Sequence, residues 1–401
     1  MRKFLVALLS GLLLVALSSF GFAKEKVIYI GGIFDITGPT GAVGAPYAEG
    51  VRDYVKWIND HGGLLGYKIK LLDVDYQYKI PQALAAYKNL VGKVVAIQGW
   101  GTGDTEALSP LITRDKIPYM SASYSEHLTD PSITPYNFLI GVTYTDQARV
   151  ALKFIKQQFK KEGKKGKPKV CFIYNDEAFG RSPFFTVKYH GKVFPAADEY
   201  AKKIGVDVVD KEIVPLNALE ATSQLLNMKK KGAEWAIIQE TKATATILKD
   251  AKKLGLKTKF IALNWGMNKL FAKLAGEAAE GVYWTCPFAL WTDTDLPGVQ
   301  LMRKVSLTYH PNKKDRIVCY TQGFAAMYVM AEALKRAIKM GDISGPGVKK
   351  ALESLRNFDT GGLTGPITFT KKSHKGSVSL RIYQFRNGKF VPVTGYISVK
   401  R

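Results

Sequence analysis

From Val27 onward, short apolar runs alternate with longer stretches in which apolar positions recur every three or four residues. VIYIGG, KIKLLDVD, VVAIQG and IPYMSAS read as strands. Between the first two, Tyr47, Val51, Tyr54, Val55 and Ile58 fall at helical spacing. That helix stops at Asn59-Asp60-His61-Gly62-Gly63, where glycine accepts a left-handed cap. Pro81 opens the next helix, with Leu84, Tyr87 and Val91 on one face, because a first helical turn does not need proline's missing N–H. After Gly141-Val142-Thr143 the rhythm restarts with a helix bearing Ala151, Phe154 and Ile155, the basic loop KKEGKKGKPK, and the strand VCFIYN. The strands WAIIQ and KFIAL follow, separated by a helix with Ile247, Leu248, Ala251 and Leu254. Such alternation predicts an α/β fold of parallel sheets covered by helices on both faces, and the restart predicts a second, similar lobe. GVYWTCPFAL is one more extended segment, followed by helices over Gly298–Tyr309 and Tyr320–Met340. The tail changes period: PITFT, VSLRIYQF and KFVPVTGYI alternate apolar with polar residues around Lys-Gly and Asn-Gly turns, which predicts a small antiparallel addition.

Ahead of this pattern stand Met1-Arg2-Lys3, the run FLVALLSGLLLVALSSFGFA, and the polar Lys24-Glu25-Lys26. A charged start, an apolar stretch and small residues at Gly21 and Ala23 are the parts of a secretory signal, so residues 1–23 are expected to be removed on export to the periplasm. No cysteine follows that run to take a lipid. What remains of the 401 residues exceeds the size at which one core stops growing, which favours two lobes.

The formal net charge of +24 would suit a nucleic acid or an anionic surface, but its distribution does not. The lysines are scattered, with dense runs only at 156–169, 229–231 and 371–375, which read as solvated helix ends and loops; no nucleic-acid partner is expected. Cys171, Cys286 and Cys319 allow at most one bridge in an oxidising compartment, with 286–319 open as a pairing, and their spacing matches no zinc or redox motif.

Catalytic signatures are absent from the sequence: it holds no GxSxG elbow, HExxH or Walker loop. His61, His127, His190, His310 and His374 are far apart and read as surface residues at helix ends or in loops. No catalytic residue, metal or cofactor is expected. The glycine-rich GPTGAVGAP follows the first strand without GxGxxG spacing, so it suits a tight strand-to-helix turn as well as ligand contact. GWGTGDTEAL is more informative. It follows VVAIQ, placing Trp100, Thr102 and Gly103 at the carboxyl end of a parallel strand, where open α/β sheets bind ligands; Asp104 reads as a helix cap. The next strand ends in SASYSEHLTDP, bringing Ser121, Ser123 and Tyr124 to the same rim. Hydroxyls and free amides on neighbouring strand ends suit a carboxylate or another compact polar group.

At these residues the chain resembles the branched-chain amino-acid binding proteins of ABC importers. FDITGPTGAVGAPYAEGVRDYVKWINDHGGLLGYKIKLLDVD is similar to the opening of that family and SPLITRDKIPYMSASYSEHLTDP to its middle. GLKTKFIALNWGMNK, AGEAAEGVYWTCP and YTQGFAAMYVMAEALKRA are similar to its later segments. The resemblance implies a type I periplasmic binding protein fold, two Rossmann-like lobes joined by three crossovers, with lobe one at 24–143 plus 286–365 and lobe two at 144–285 plus 366–401. It also implies site residues: Thr102 for a ligand carboxylate, Ala122, Ser123 and Tyr124 for the head group, and Phe179 of NDEAFG closing from the second lobe. Tyr124 stands where the family has threonine, and Asn264 stands near the family's acidic residue, so that charge is missing or comes from Glu240. Trp100 and Trp265 could stack on a flat ligand. The function implied is capture of a small amino acid, carboxylate or aromatic acid by a monomer that closes on it and docks on ABC permease subunits. A periplasmic sensory receptor is the nearest alternative, and an exported hydrolase the alternative of another class.

Overall fold

A computed structural model describes residues 25–400 of the chain; the leader expected at 1–23 lies outside the described residues. The first five strands are β1 (Lys26–Phe34), β2 (Tyr67–Asp75), β3 (Ile97–Gln98), β4 (Tyr119–Met120) and β5 (Asn137–Phe138). They form one parallel sheet in the order β2-β1-β3-β4-β5, with the helices α1 (Gly41–Asp60), α2 (Ile80–Leu90) and α3 (Thr102–Asp115) in the connections. β3 and β4 are shorter than the apolar runs VVAIQG and IPYMSAS suggest. Pro118 lacks an N–H, and at Gly99 an added Cβ would lie 1.9 Å from the Tyr119 ring. Single hydrogen bonds, such as Ile97 N–H to Pro118 O at 2.9 Å and Gly99 N–H to Met120 O at 2.8 Å, continue the ladder past the regular pairs.

The chain then builds a second sheet from β6 (Lys169–Tyr174), β9 (Asp207–Ile213), β10 (Trp235–Gln239), β11 (Lys259–Ala262), β12 (Tyr283–Cys286), β13 (Ser379–Arg386) and β14 (Lys389–Pro392). The order β14-β13-β12-β11-β10-β6-β9 is parallel from β9 through β12, and β13 and β14 add on antiparallel. β15 (Ile397–Ser398) pairs with β13, and β7 (Val187–Tyr189) with β8 (Lys192–Phe194) makes a separate hairpin. Helices α4 (Tyr144–Lys161), α5 (Ala178–Arg181), α6 (Ala197–Ile204), α7 (Thr222–Lys230), α8 (Ala243–Lys253) and α9 (Lys269–Ala275) belong to this half. The tail pairs antiparallel as its two-residue period suggests, with PITFT contributing only isolated bridges.

Three further helices, α10 (Pro297–Tyr309), α11 (Val318–Lys339) and α12 (Gly345–Leu352), return to the first sheet. The stretch 366–377 keeps company with that sheet: Gly376 N–H donates to Leu139 O at 2.9 Å and Phe369 meets the Phe138 ring edge-on at 5.1 Å. Cys286 ends β12 in the second sheet. α11 and α1 cross where each offers a glycine. A Cβ on Gly50 would stand 2.3 Å from Tyr320 O, and one on Gly323 would stand 1.9 Å from Tyr47 O. Gly323→Ala is therefore expected to force the helices apart and lower unfolding free energy by about 1–3 kcal/mol in a denaturant titration; an unchanged midpoint would contradict this packing.

Two sequence readings are corrected here. All three cysteines are buried free thiols, so the open 286–319 bridge is not formed. His127 and His374 are fully buried, His127 in a short 3-10 turn against the Tyr189 and Phe194 rings of the β7–β8 hairpin and His374 against Phe138. His127 Nε2 lies 2.8 Å from Glu106 Oε1. His374 stacks on Phe138 at 3.9 Å, bonds Asn137 O and Glu353, and has its pKa lowered by burial.

Candidate functional site

The carboxyl ends of the two sheets face one another across a narrow cavity of about 20 Å³ that reaches solvent. From the first sheet's connections come Thr40, Val43, Tyr78, Trp100, Gly101, Thr102 and Ala122. From the second come Tyr144 at the start of α4, Phe179 on α5, Thr241 after β10 and Trp265 after β11. Strand ends are natural binding positions because each chain there leaves the sheet and presents amides and short side chains to the gap.

Buried carboxylates fix the loops on the first side. Asp35 accepts from Gly38 N–H at 2.7 Å and from both the N–H and the hydroxyl of Thr40, at 2.8 and 2.6 Å. That holds the glycine-rich turn, and Thr40 in turn accepts from Trp100 Nε1 at 2.9 Å. Asp104 accepts from Tyr76 OH at 2.8 Å and Gly101 N–H at 3.2 Å, so it steadies the start of α3 from inside its first turn, and Gly101, not Asp104, occupies the cap position. Burial raises the Asp104 carboxyl to about 7 despite these bonds. Three hydroxyls then meet: Thr102 Oγ1 is 2.7 Å from Ser123 Oγ and 3.3 Å from Ser125 Oγ, and Ser123 Oγ is 3.1 Å from Ser125 Oγ.

The second side is mainly aromatic. Trp265 Nε1 donates to Tyr144 OH at 2.9 Å, and its ring meets Trp100 edge-on at 5.1 Å. Phe179 meets Tyr144 edge-on at 5.5 Å. Tyr124 stacks on Trp265 at 5.6 Å and donates to Gln322 Oε1 at 2.9 Å. Asn264 donates from its backbone to Gln147 Oε1 and from Nδ2 to that same Gln322 oxygen. Glu240 is fully buried, and burial lifts its pKa well above the ordinary carboxylate range against the opposing pull of the Asn175 side chain and the Thr241 N–H.

Of the residues expected from sequence, the structure brings Trp100, Thr102, Ala122, Phe179 and Trp265 to the cavity wall. Ser123 stands one hydrogen bond behind Thr102, and Gly103 sits at the seam, where a Cβ would meet Ile80 at 3.3 Å and Ala178 at 3.9 Å. Tyr124, Glu240 and Asn264 are not among the wall residues; Tyr124 backs Trp265, while Asn264 and Glu240 neighbour the wall residues Trp265 and Thr241 in sequence. Sequence reading missed Thr40, Val43, Tyr78, Gly101, Tyr144 and Thr241. Thr40 and Val43 lie inside the glycine-rich segment already marked, and Gly101 and Thr241 lie beside residues that were chosen. Elsewhere, Glu49, Asp53 and His310 cluster closely enough to suggest a cation site. Their oxygens are already engaged: Arg316 and Lys313 pair with Glu49 at 2.6 and 2.7 Å, and Tyr320 donates to Asp53 at 2.7 Å.

Two sheets whose strand ends line one cavity have counterparts among known proteins. The periplasmic binding protein family matches residues 27–389. The chain belongs to that family. Among proteins of solved structure, a branched-chain amino acid ABC transporter from Thermus thermophilus with bound valine is 30% identical with a TM-score of 0.84, covering 94% of this chain and 97% of that one. An ABC transporter substrate-binding protein from Aeropyrum pernix is 27% identical over the same shares, also at 0.84. The Leu/Ile/Val-binding protein of Citrobacter freundii is 24% identical over 70% of this chain and 72% of its own. The likeness to branched-chain amino-acid binding proteins and the type I fold expected from the motifs are thus both found. Among the described residues, no helix is long and apolar enough to cross a membrane.

Proposed function

We propose that this periplasmic binding protein is the exported substrate-binding component of an ABC importer, a monomer without cofactor or catalytic activity that works in the periplasm. It captures a small amino acid, a carboxylate or an aromatic acid between two lobes. Lobe one comprises residues 25–138 and 288–377, and lobe two residues 144–286 and 379–400; this departs from the expected 24–143 plus 286–365 and 144–285 plus 366–401, because 366–377 packs on the first sheet and Cys286 ends a strand of the second. The observation that carries this reading is a single cavity walled from both sheets, by Trp100 and Thr102 on one side and Phe179 and Trp265 on the other. The similarity to ABC transporter substrate-binding proteins supports it.

The lobes meet around the rim through exposed pairs, Lys192 with Asp130 and Lys269 with Asp315, both at 2.6 Å. Exposed pairs of this kind contribute about 0–1 kcal/mol each. Deeper contacts also join the lobes, with Tyr124 stacked on Trp265 and Lys375 paired with Asp146 at 2.7 Å, and a ligand touching both walls adds to them, shifting the population toward the closed form that permease subunits would recognise. For a ligand that binds wild type one to one in calorimetry, Thr102→Val in one lobe and Phe179→Ala in the other should each weaken affinity about tenfold. Small-angle scattering should show the radius of gyration fall on binding. A ligand lost on changing only one lobe, with no compaction, would overturn the proposal.

A further inference from the structure

We infer that the molecule held in this cavity is a carboxylate with a flat aromatic body and no ammonium group, a narrowing that rests on the binding-protein reading above. The wall includes Tyr78, Trp100, Tyr144, Phe179 and Trp265, and no charged side chain. The acids closest to it in sequence are committed elsewhere. Asp35 is spent on Gly38 and Thr40, and Asp104 on Tyr76 and Gly101. Glu240 does not reach the wall, and its burial favours the neutral acid.

An ammonium brought here would give up its water without meeting an opposite charge, which is costly in a dry site. Ring faces can also hold cations. Here, however, Trp100 and Trp265 lie edge to face at 5.1 Å and fill one another's approach instead of framing a gap for a cation. An anion meets a different surface. Thr102 opens α3, a helix of 14 residues whose first-turn N–H groups carry partial positive charge. Its hydroxyl shares protons with Ser123 and Ser125. From the opposite lobe, Thr241 lines the cavity, is 2% exposed, and its Oγ1 has no hydrogen-bond partner. A buried hydroxyl without a partner at a cavity wall is a donor waiting for an acceptor.

Two matched pairs isolate the ammonium group: 3-phenylpropanoate against phenylalanine, and 4-methylpentanoate against leucine. Calorimetry on the exported protein, stripped of retained cargo by unfolding and refolding, should find each acid binding at least about tenfold tighter than its amino acid, about 1.4 kcal/mol. The aromatic acid should also bind tighter than the aliphatic one. Equal or tighter binding of either amino acid overturns the inference and leaves the importer reading standing. Silence from all four compounds also overturns it, and the importer reading falls with it only if native mass spectrometry of gently purified protein shows no retained molecule. Thr241→Val separates binding from folding, because it removes a hydroxyl that makes no bond in the fold. Affinity for 3-phenylpropanoate should fall about tenfold with no drop in melting temperature; unchanged affinity overturns the role given to Thr241.

Discussion

Replacing Trp265 with alanine is expected to lower the free energy of unfolding by about 3–5 kcal/mol and to abolish measurable ligand binding. The indole is 4% exposed and touches three other aromatic residues: Trp100 at 5.1 Å, Tyr124 at 5.6 Å and Tyr47 at 6.5 Å. It also accounts for the hydrogen bond that places Tyr144 at the wall. Alanine leaves a hole where four rings met, and both faces of the site lose a support. Trp265→Phe keeps a ring but not the N–H, so it should recover most of the stability and only part of the affinity. Denaturant titrations and calorimetry on the three proteins check this. A loss under 1 kcal/mol with affinity intact would mean the indole is not shared between the lobes.

Glu240→Gln should stabilise the protein increasingly as pH rises. In the folded chain, burial keeps the Glu240 carboxyl protonated well above its ordinary range, whereas in the unfolded chain it ionises near pH 4.5. Unfolding then releases a proton, so the wild type loses stability as pH climbs above 4.5, by at most about 1.4 kcal/mol per pH unit. Glutamine has the same shape and no proton to release. Asp104, raised to about 7 by burial, titrates in both proteins and cancels from the comparison. Melting curves from pH 4.5 to pH 8 should show the two proteins together at the acid end and the variant progressively ahead. A gap that stays constant would show that Glu240 is ionised in the folded state.

Much of the fold was legible because burial on both faces of a parallel sheet leaves continuous apolar runs, and VCFIYN, WAIIQ and KFIAL are strands for that reason. The site was legible as far as it follows from position along a strand: Trp100 and Thr102 leave β3, and Trp265 leaves β11. What depends on a partner far away in sequence was not. Glu240 was open as a source of charge until its burial was visible, and nothing in IIQE says whether its carboxyl faces water. Tyr124 reads like a rim residue, yet its hydroxyl finds Gln322, 198 positions later. Tyr144 carries no period or motif, Thr40 is one of several residues in the glycine-rich turn and Thr241 only a neighbour of Glu240; what joins them is that strand ends of the two sheets line one cavity. His127 and His374 were misread for the same reason, since loops that fold inward look like loops that do not.

The most direct test is a crystal structure of the protein with retained or added cargo. One molecule should lie in the cavity with Trp100 and Thr102 against one side of it and Thr241 and Trp265 against the other, both lobes touching it at once. A molecule bound to residues of one sheet alone, or outside this cavity, would contradict the account.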